Sequence, residues 1–156
     1  MFPLEFLVVD RVRSGVGVTS KKRLIEALAE LLAAGDAALS KESVLERLLE
    51  RERLGSTGLG HGIGLPHSRM REVGEARCAF VQLRQGIDYD AIDNEPVDLA
   101  LALLVPEEAN ETHLQLLSVL AAMFSDELLR RALRSAGSPR EILALIETWE
   151  APPRQP

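Results

Sequence analysis

The sequence predicts an α/β fold in a single domain, with central strands layered between helices. Three observations carry that prediction. Residues 98–105, DLALALLV, form a near-continuous apolar run of strand length, the pattern of a strand buried on both faces. Ahead of it, Leu24, Ile25, Leu28, Leu31 and Leu32 recur at helical spacing. Behind it, Ser138-Pro139-Arg140-Glu141 is a capping box with proline at the first helical position.

Taken in order, the first helix is opened by Thr19-Ser20 and closed by Gly35. A second starts at Ser40, with Glu42 in its first turn and Val44, Leu45, Leu48 and Leu49 inward. It ends between Arg51 and Leu54, where Gly55 is placed to cap it. A glycine-rich segment follows, with a short strand around 63–66. Residues 78–83, CAFVQL, read as a strand and Gln85-Gly86 as a turn. The apolar strand over 98–105 is stopped by Pro106. Asn110 is a candidate cap for a third long helix, with Leu114, Leu117, Leu120, Ala121 and Phe124 inward. A further helix spans about 127–135, and the last runs from the Ser138 box to about Trp149. The tail over 151–156, APPRQP, is predicted to be disordered, which leaves 1–150 as the domain. No internal repeat, linker or low-complexity segment precedes that tail.

With 156 residues, 46% apolar and 27% charged, the chain has the composition of a soluble globular protein with an ordinary core. Its longest strong apolar run, 99–105, is far short of the ~18 residues a membrane span needs, so no membrane insertion is expected. The opening MFPLEFLVVD lacks a basic flank and carries Glu5 and Asp10, which argues against a signal peptide. A single cysteine, Cys78, excludes an internal disulfide and fits a reducing compartment, making the cytoplasm the default. The net charge of −6 argues against a nucleic-acid-binding face. Only three of the 18 basic residues are lysines, and Arg69, Arg71 and Arg77 could form a local positive rim. An acidic whole around a histidine site favours a small basic protein partner.

Residues 51–67, RERLGSTGLGHGIGLPH, place five glycines in ten positions and then a histidine directly behind a proline. Glycines let backbone and ligand approach closely. Pro66 has no amide hydrogen and pushes Leu65 toward an extended conformation, so His67 should leave the end of a short strand with its ring aimed in one direction. The spacing matches neither G-x-x-x-x-G-K-[ST] nor G-x-G-x-x-G, and no G-x-S-x-G is present. Nucleotide loops and a serine hydrolase are thereby disfavoured.

The three histidines are His61, His67 and His113, the last 46 residues after His67 in the first turn of the third helix. A helix N-terminus disfavours imidazolium and favours nearby anions. A neutral His113 there can donate an N–H to a phosphoryl oxygen, with His67 as nucleophile and Arg51 adding a charge-assisted contact. Phosphoryl transfer needs mainly positioning and charge stabilisation, so this set suffices. Plain alternatives are a glycine-rich connection and surface histidines without chemistry. Three histidines with a water could also bind zinc. However, His61 and His67 are not spaced as a helical pair, and H-E-x-x-H is absent.

The segment LLERERLGSTGLGHGIGLPHSR resembles the active-site segment of type-2 enzyme IIA domains of the bacterial phosphoenolpyruvate-dependent phosphotransferase system. SKKRLIEALAELL is similar to that family's first helix, and AIDNEPVDLALALLVP followed by THLQLLSVLA to the segment carrying its second histidine. The resemblance covers about 7–149. It implies a mixed parallel and antiparallel central sheet flanked by helices, as in mannitol-specific enzyme IIA. It implies that His67 accepts a phosphoryl group from a histidine-containing phosphocarrier protein and passes it on. His113 then contacts the phosphoryl group, Arg51 supplies the pocket cation, and Ser56, Thr57, Gly60, His61 and Gly62 line the pocket. His61 departs from the family, whose mannitol branch has glutamate there and whose nitrogen branch often has asparagine; a neutral or cationic side chain there could change donor fit and phosphohistidine lifetime, and the sequence does not decide between that and a tolerated substitution. The resemblance implies no metal and no nucleotide cofactor. DNEPVDLALALLVP and GSTGLGHGIGLPH look most like the nitrogen-regulatory branch, in which phosphorylation controls binding to regulatory target proteins. The alternative is a fructose- or mannitol-type enzyme IIA serving a separate IIB domain; a binding module without phosphoryl chemistry is the remote one.

Overall fold

A computed structural model describes residues 6–151. A short 3-10 turn, Val9–Arg11, leads into β1, Val12–Val16. Helix α1, Lys21–Ala33, begins where the Ser20 hydroxyl accepts the Arg23 N–H, and it buries Leu24, Ile25, Leu28, Leu31 and Leu32. Helix α2, Lys41–Leu54, is capped by Ser40 and terminated at Gly55, whose N–H donates to Glu52 O. Val44 and Leu48 are fully buried on its inner face, with Leu45 and Leu49 packed partly buried beside them. The strands that follow are β2 (Gly58–Gly60), β3 (Ile63–Gly64), β4 (His67–Met70), β5 (Arg77–Ile87) and β6 (Val97–Pro106). Helices α3 (Asn110–Phe124), α4 (Glu127–Ser135) and α5 (Pro139–Glu147) complete the described chain.

The sheet order is β1-β5-β6-β3-β2, with β4 also on β6. Strands β1 and β5 are parallel, as are β3 and β4 with β6, whereas β5–β6 and β2–β3 are antiparallel. The sheet is therefore mixed, as expected. Strand β6 sits at its centre and is buried on both sides. Leu99, Leu101, Leu103 and Val105 face one core with α3, α4 and α5, while Ala100, Ala102 and Leu104 face the other with α1 and α2. Side chains alternate across a strand, so a continuous apolar run feeds both cores at once. The result is one α/β/α domain, and none of its described helices is long and apolar enough to cross a membrane.

Several details correct the expectations. Strands β3 and β4 lie in tandem along one edge of β6: Ile63 beside Leu99, His67 beside Leu103 and Met70 beside Pro106. Pro66 cannot donate to β6, but its carbonyl accepts the Leu103 N–H at 3.0 Å, so the chain resumes pairing at once. His67 consequently opens a strand instead of ending one. Gln85-Gly86 is not a turn but part of β5; a side chain on Gly86 would meet Pro96 Cβ at 2.8 Å, so the glycine serves close strand approach. Strands β1 and β2 were not anticipated. Helix α3 starts at Asn110 without a side-chain cap, because the capping position falls on Ala109; the Asn110 amide oxygen accepts from Arg69 instead. Its inner face is Leu116, Leu120, Met123 and Phe124, and Leu114 is 70% exposed with Ala121 also exposed. Buried Cys78 is inert, its thiol pushed up to about 12 by burial. Of the tail predicted to be disordered, only Ala151 falls among the described residues.

Candidate functional site

Three elements converge on His67. It opens β4, beside Leu103 on β6. Helix α3 brings His113 edge-on to it, with ring centroids 5.4 Å apart and planes at 75°. The last turns of α2 bring Arg51, whose Nη1 donates to Gly55 O at 2.9 Å. All three residues line one open cleft of about 330 Å³, together with Arg47, Glu50, Leu54, Ser68 and Arg69. The guanidinium of Arg69 donates to Asn110 on α3, and Arg47 donates to Arg69 O at 3.0 Å, so β4 is tied to both helices.

The tautomer of His67 follows from its partner. Its Nδ1 lies 2.8 Å from Leu65 O. A carbonyl can only accept, so Nδ1 carries the proton and Nε2 holds the lone pair. Burial holds His67 below the usual histidine range, and Arg51 pushes the same way, against the Leu65 bond and Glu52. Burial also lowers His113, helped by His67, Arg69 and Arg51. Both imidazoles are thus held toward their neutral forms beside Arg51 and Arg69. Nε2 of His113 is buried without a hydrogen-bond partner. Buried polar atoms are ordinarily bonded, and an anionic oxygen entering the cleft would complete this one.

Both depressed histidines make stability pH-dependent in a defined direction. The unfolded chain binds protons at the ordinary value of ~6.5 and the folded chain only below it. Their contribution is therefore full above ~6.5 and lost as pH falls toward the folded values. Urea midpoints at about pH 8 and about pH 5 should show a smaller acid-induced loss for the double variant His67→Gln/His113→Gln than for wild type. Equal losses would contradict this assignment.

The cleft does not include Ser56, Thr57, Gly60, His61 or Gly62. The reason is extension. From His61 to His67 the chain runs along β6, and Leu99 and Leu103 are about 13 Å apart at ~3.3 Å per residue. His61 is exposed at the far end, at φ 57°, with its N–H on Asp93 at 2.9 Å and its carbonyl held by Arg134. His61 is thus not brought to the cleft that His67 lines, contrary to expectation. Ser56 donates to Tyr89 O at 3.2 Å, and Thr57 is buried against Tyr89 and Glu52. The cleft also takes in Arg47 and Leu54, which share the face of α2 that carries Arg51 at i−4 and i+3, and Glu50, which neighbours Arg47 at i+3 and Leu54 at i−4; these three are not among the residues the sequence singles out. Among the described residues, no group of three or more His, Cys, Asp or Glu side chains is placed to hold a metal ion.

Known proteins are similar to this chain in sequence and fold. Residues 5–149 match the family described as phosphoenolpyruvate-dependent sugar phosphotransferase system, EIIA 2. The nitrogen regulatory protein of Escherichia coli (strain K12) is 45% identical over 142 residues, covering 90% of this chain and 86% of that protein. That of Klebsiella oxytoca is 47% identical over 135 residues, covering 86% and 83%. The crystal structure of nitrogen regulatory protein IIA-Ntr from Neisseria meningitidis superposes with a TM-score of 0.87 at 41% identity, over 92% of this chain and 97% of that one. A cleft built on two histidines and an arginine, in this fold and with these relatives, means that the chain belongs to the EIIA type 2 family of the phosphoenolpyruvate-dependent sugar phosphotransferase system.

Proposed function

We propose that this chain is a phosphocarrier of the nitrogen-regulatory branch, in which His67 accepts a phosphoryl group from a histidine-containing phosphocarrier protein and the phosphate controls binding to regulatory targets. The observation that carries the chemistry is the His67 Nδ1–H bond to Leu65 O, which leaves the lone pair on Nε2 in a cleft shared with His113 and Arg51. Nε2 attacks the donor's phosphorus, the new N–P bond forms, and the donor's N–P electron pair returns to its own imidazole. No proton leaves His67 in this step, because Nδ1 already holds it. Positive charge arising on the phosphorylated ring is spread toward Nδ1–H and its carbonyl. Arg51 and the unpartnered Nε2 of His113 meet the phosphoryl oxygens, the positioning and charge stabilisation that this chemistry needs.

The regulatory reading is supported by the nitrogen regulatory relatives and by the site's setting. A phosphate adds about −1.5 to −2 charge among Arg47, Arg51 and Arg69, which alters the cleft's surface without a fold change. The test is intact mass after incubation with phosphoenolpyruvate, enzyme I and the phosphocarrier protein, followed by a chase with fructose- and mannitol-type IIB proteins. Expected are one acid-labile phosphate on the His67 peptide and retention of the label through the chase. No label, or an acid-stable one, overturns the chemistry; rapid discharge to a IIB protein replaces regulation with sugar delivery.

A further inference from the structure

Glu52 follows Arg51 in α2, yet it does not line the cleft, and its side chain is only 5% exposed. Its two oxygens meet four donors. Oε1 accepts from the Thr57 hydroxyl and, at 3.2 Å, from the Tyr89 hydroxyl. Oε2 accepts the Thr57 N–H at 3.3 Å and pairs with the Lys21 ammonium at 2.9 Å. A carboxylate offers about four lone-pair sites, so this one is saturated, the condition under which a buried charge is tolerated. The Lys21 ammonium also sits 4.5 Å from the Tyr89 ring centroid. Burial and then Glu52 push the Tyr89 phenol upward, which keeps it a donor.

From Thr57 the bonding continues to the nucleophile through the main chain. The Thr57 carbonyl accepts the Leu65 N–H at 3.0 Å, and the Leu65 carbonyl accepts Nδ1–H of His67 at 2.8 Å. Leu65 is held extended by Pro66 on one side and by Thr57 on the other, so the direction of its carbonyl depends on where Thr57 is held. Thr57 is held by Glu52.

We infer that Glu52 is a positioning residue: anchored by Lys21 and Tyr89, it fixes Thr57 and, through Leu65, selects the His67 tautomer that bears its lone pair on Nε2. With the proton on Nε2 instead, that nitrogen has no pair to offer phosphorus. The kinetic consequence rests on the phosphocarrier reading above; the tautomer belongs to the unphosphorylated chain and can be read without a donor.

The experiment records long-range 1H–15N correlations of the His67 ring at about pH 8, above the ordinary histidine value of ~6.5, in wild type, Glu52→Gln and Glu52→Ala. Single-turnover phosphoryl acceptance is measured on the same samples. Wild type should show Nδ1–H. Glu52→Gln keeps an acceptor for Thr57 and should retain both the tautomer and a rate within a few-fold of wild type. Glu52→Ala should show mixed tautomers and lose roughly 10–100-fold in acceptance, by analogy with the loss on removing a group that orients a metal-ligating histidine. A merely structural role would lower Tm and leave the ring nitrogens unchanged, so a folded Glu52→Ala with an unshifted tautomer overturns the inference. Should that variant fail to fold, Thr57→Val, which removes only the hydroxyl bound to Oε1, gives the same readout, and an unshifted ratio there overturns it equally. A wild type that takes no label but loses its Nδ1–H preference in Glu52→Ala would refute the phosphocarrier reading while leaving the positioning role standing.

Discussion

His67→Ala is expected to take up no phosphate under conditions in which the wild-type chain takes one. The loss should be complete, because the cleft offers no second imidazole in the same state. His113 has its Nε2 buried, and its ring meets His67 edge-on. The variant should remain folded, since β4 is held to β6 by main-chain pairing from His67 to Met70. His113→Ala is the informative contrast. It keeps the nucleophile and its Leu65 bond and removes one donor for the phosphoryl oxygens, so acceptance should persist at a rate about 10²–10³-fold lower. His113→Gln, which restores an N–H, should recover part of that loss. Intact mass gives the end point and quenched single turnovers give the rates. A label on His67→Ala at wild-type stoichiometry would move the acceptor elsewhere. Equal loss in both variants would mean that the two rings act as one unit.

The elements that are legible in the sequence are those whose ends carry local chemistry. Ser20, Ser40 and Ser138 each accept the N–H three residues on, and Asp126 accepts from Leu128 and Leu129, so helices α1, α2, α5 and α4 announce their own starts. Strand β6 is legible because burial on both faces leaves no polar position to break the run. By contrast, β1 reads VRSGV and β2 only GLG; each lies at an edge of the sheet and is specified by its partner, not by its own pattern. The inner face of α3 is legible only in part, at Leu120 and Phe124, for a different reason. Leu114, Leu116, Leu117, Val119 and Leu120 put apolar groups nearly all round the helix, and only the sheet decides that Leu116 and Leu120 go inward. The site divides the same way. Arg51, His67 and His113 carry chemistry recognisable by residue type, and the structure brings them together. Closeness in sequence misled for His61, because the extended chain between them carries it six residues away from His67 along β6.

Gly62→Ala should be among the most destabilising single substitutions in the glycine-rich segment, although Gly62 lies outside the cleft. Its φ is +82°, which costs an L side chain roughly 1–2 kcal/mol. An added Cβ would also collide with the Arg134 guanidinium and lie 2.8 Å from Asp98 Oδ1. Arg134 cannot swing aside freely, because it is paired with Asp98 at 2.9 Å and holds the His61 carbonyl. Overpacking of this kind adds about 1–3 kcal/mol. The Gly62 carbonyl accepts the Asp98 and Leu99 N–H groups at 3.0 and 3.1 Å, so a shift there disturbs the start of β6. Together these effects predict a loss of about 2–5 kcal/mol and a fall in Tm of roughly 5–15 °C. Gly35→Ala is the control: its φ is +81°, but nothing lies within 4 Å of the added Cβ, so it should cost only the conformational part, about 1–2 kcal/mol. Equal Tm shifts in the two variants would show that the Arg134–Asp98 cradle yields without cost. Acceptance by the folded fraction of Gly62→Ala should stay near the wild-type rate, because the register that places His67 is set four residues further along β6, at Leu103. A loss of acceptance in protein that is still folded would instead couple the two ends of the strand.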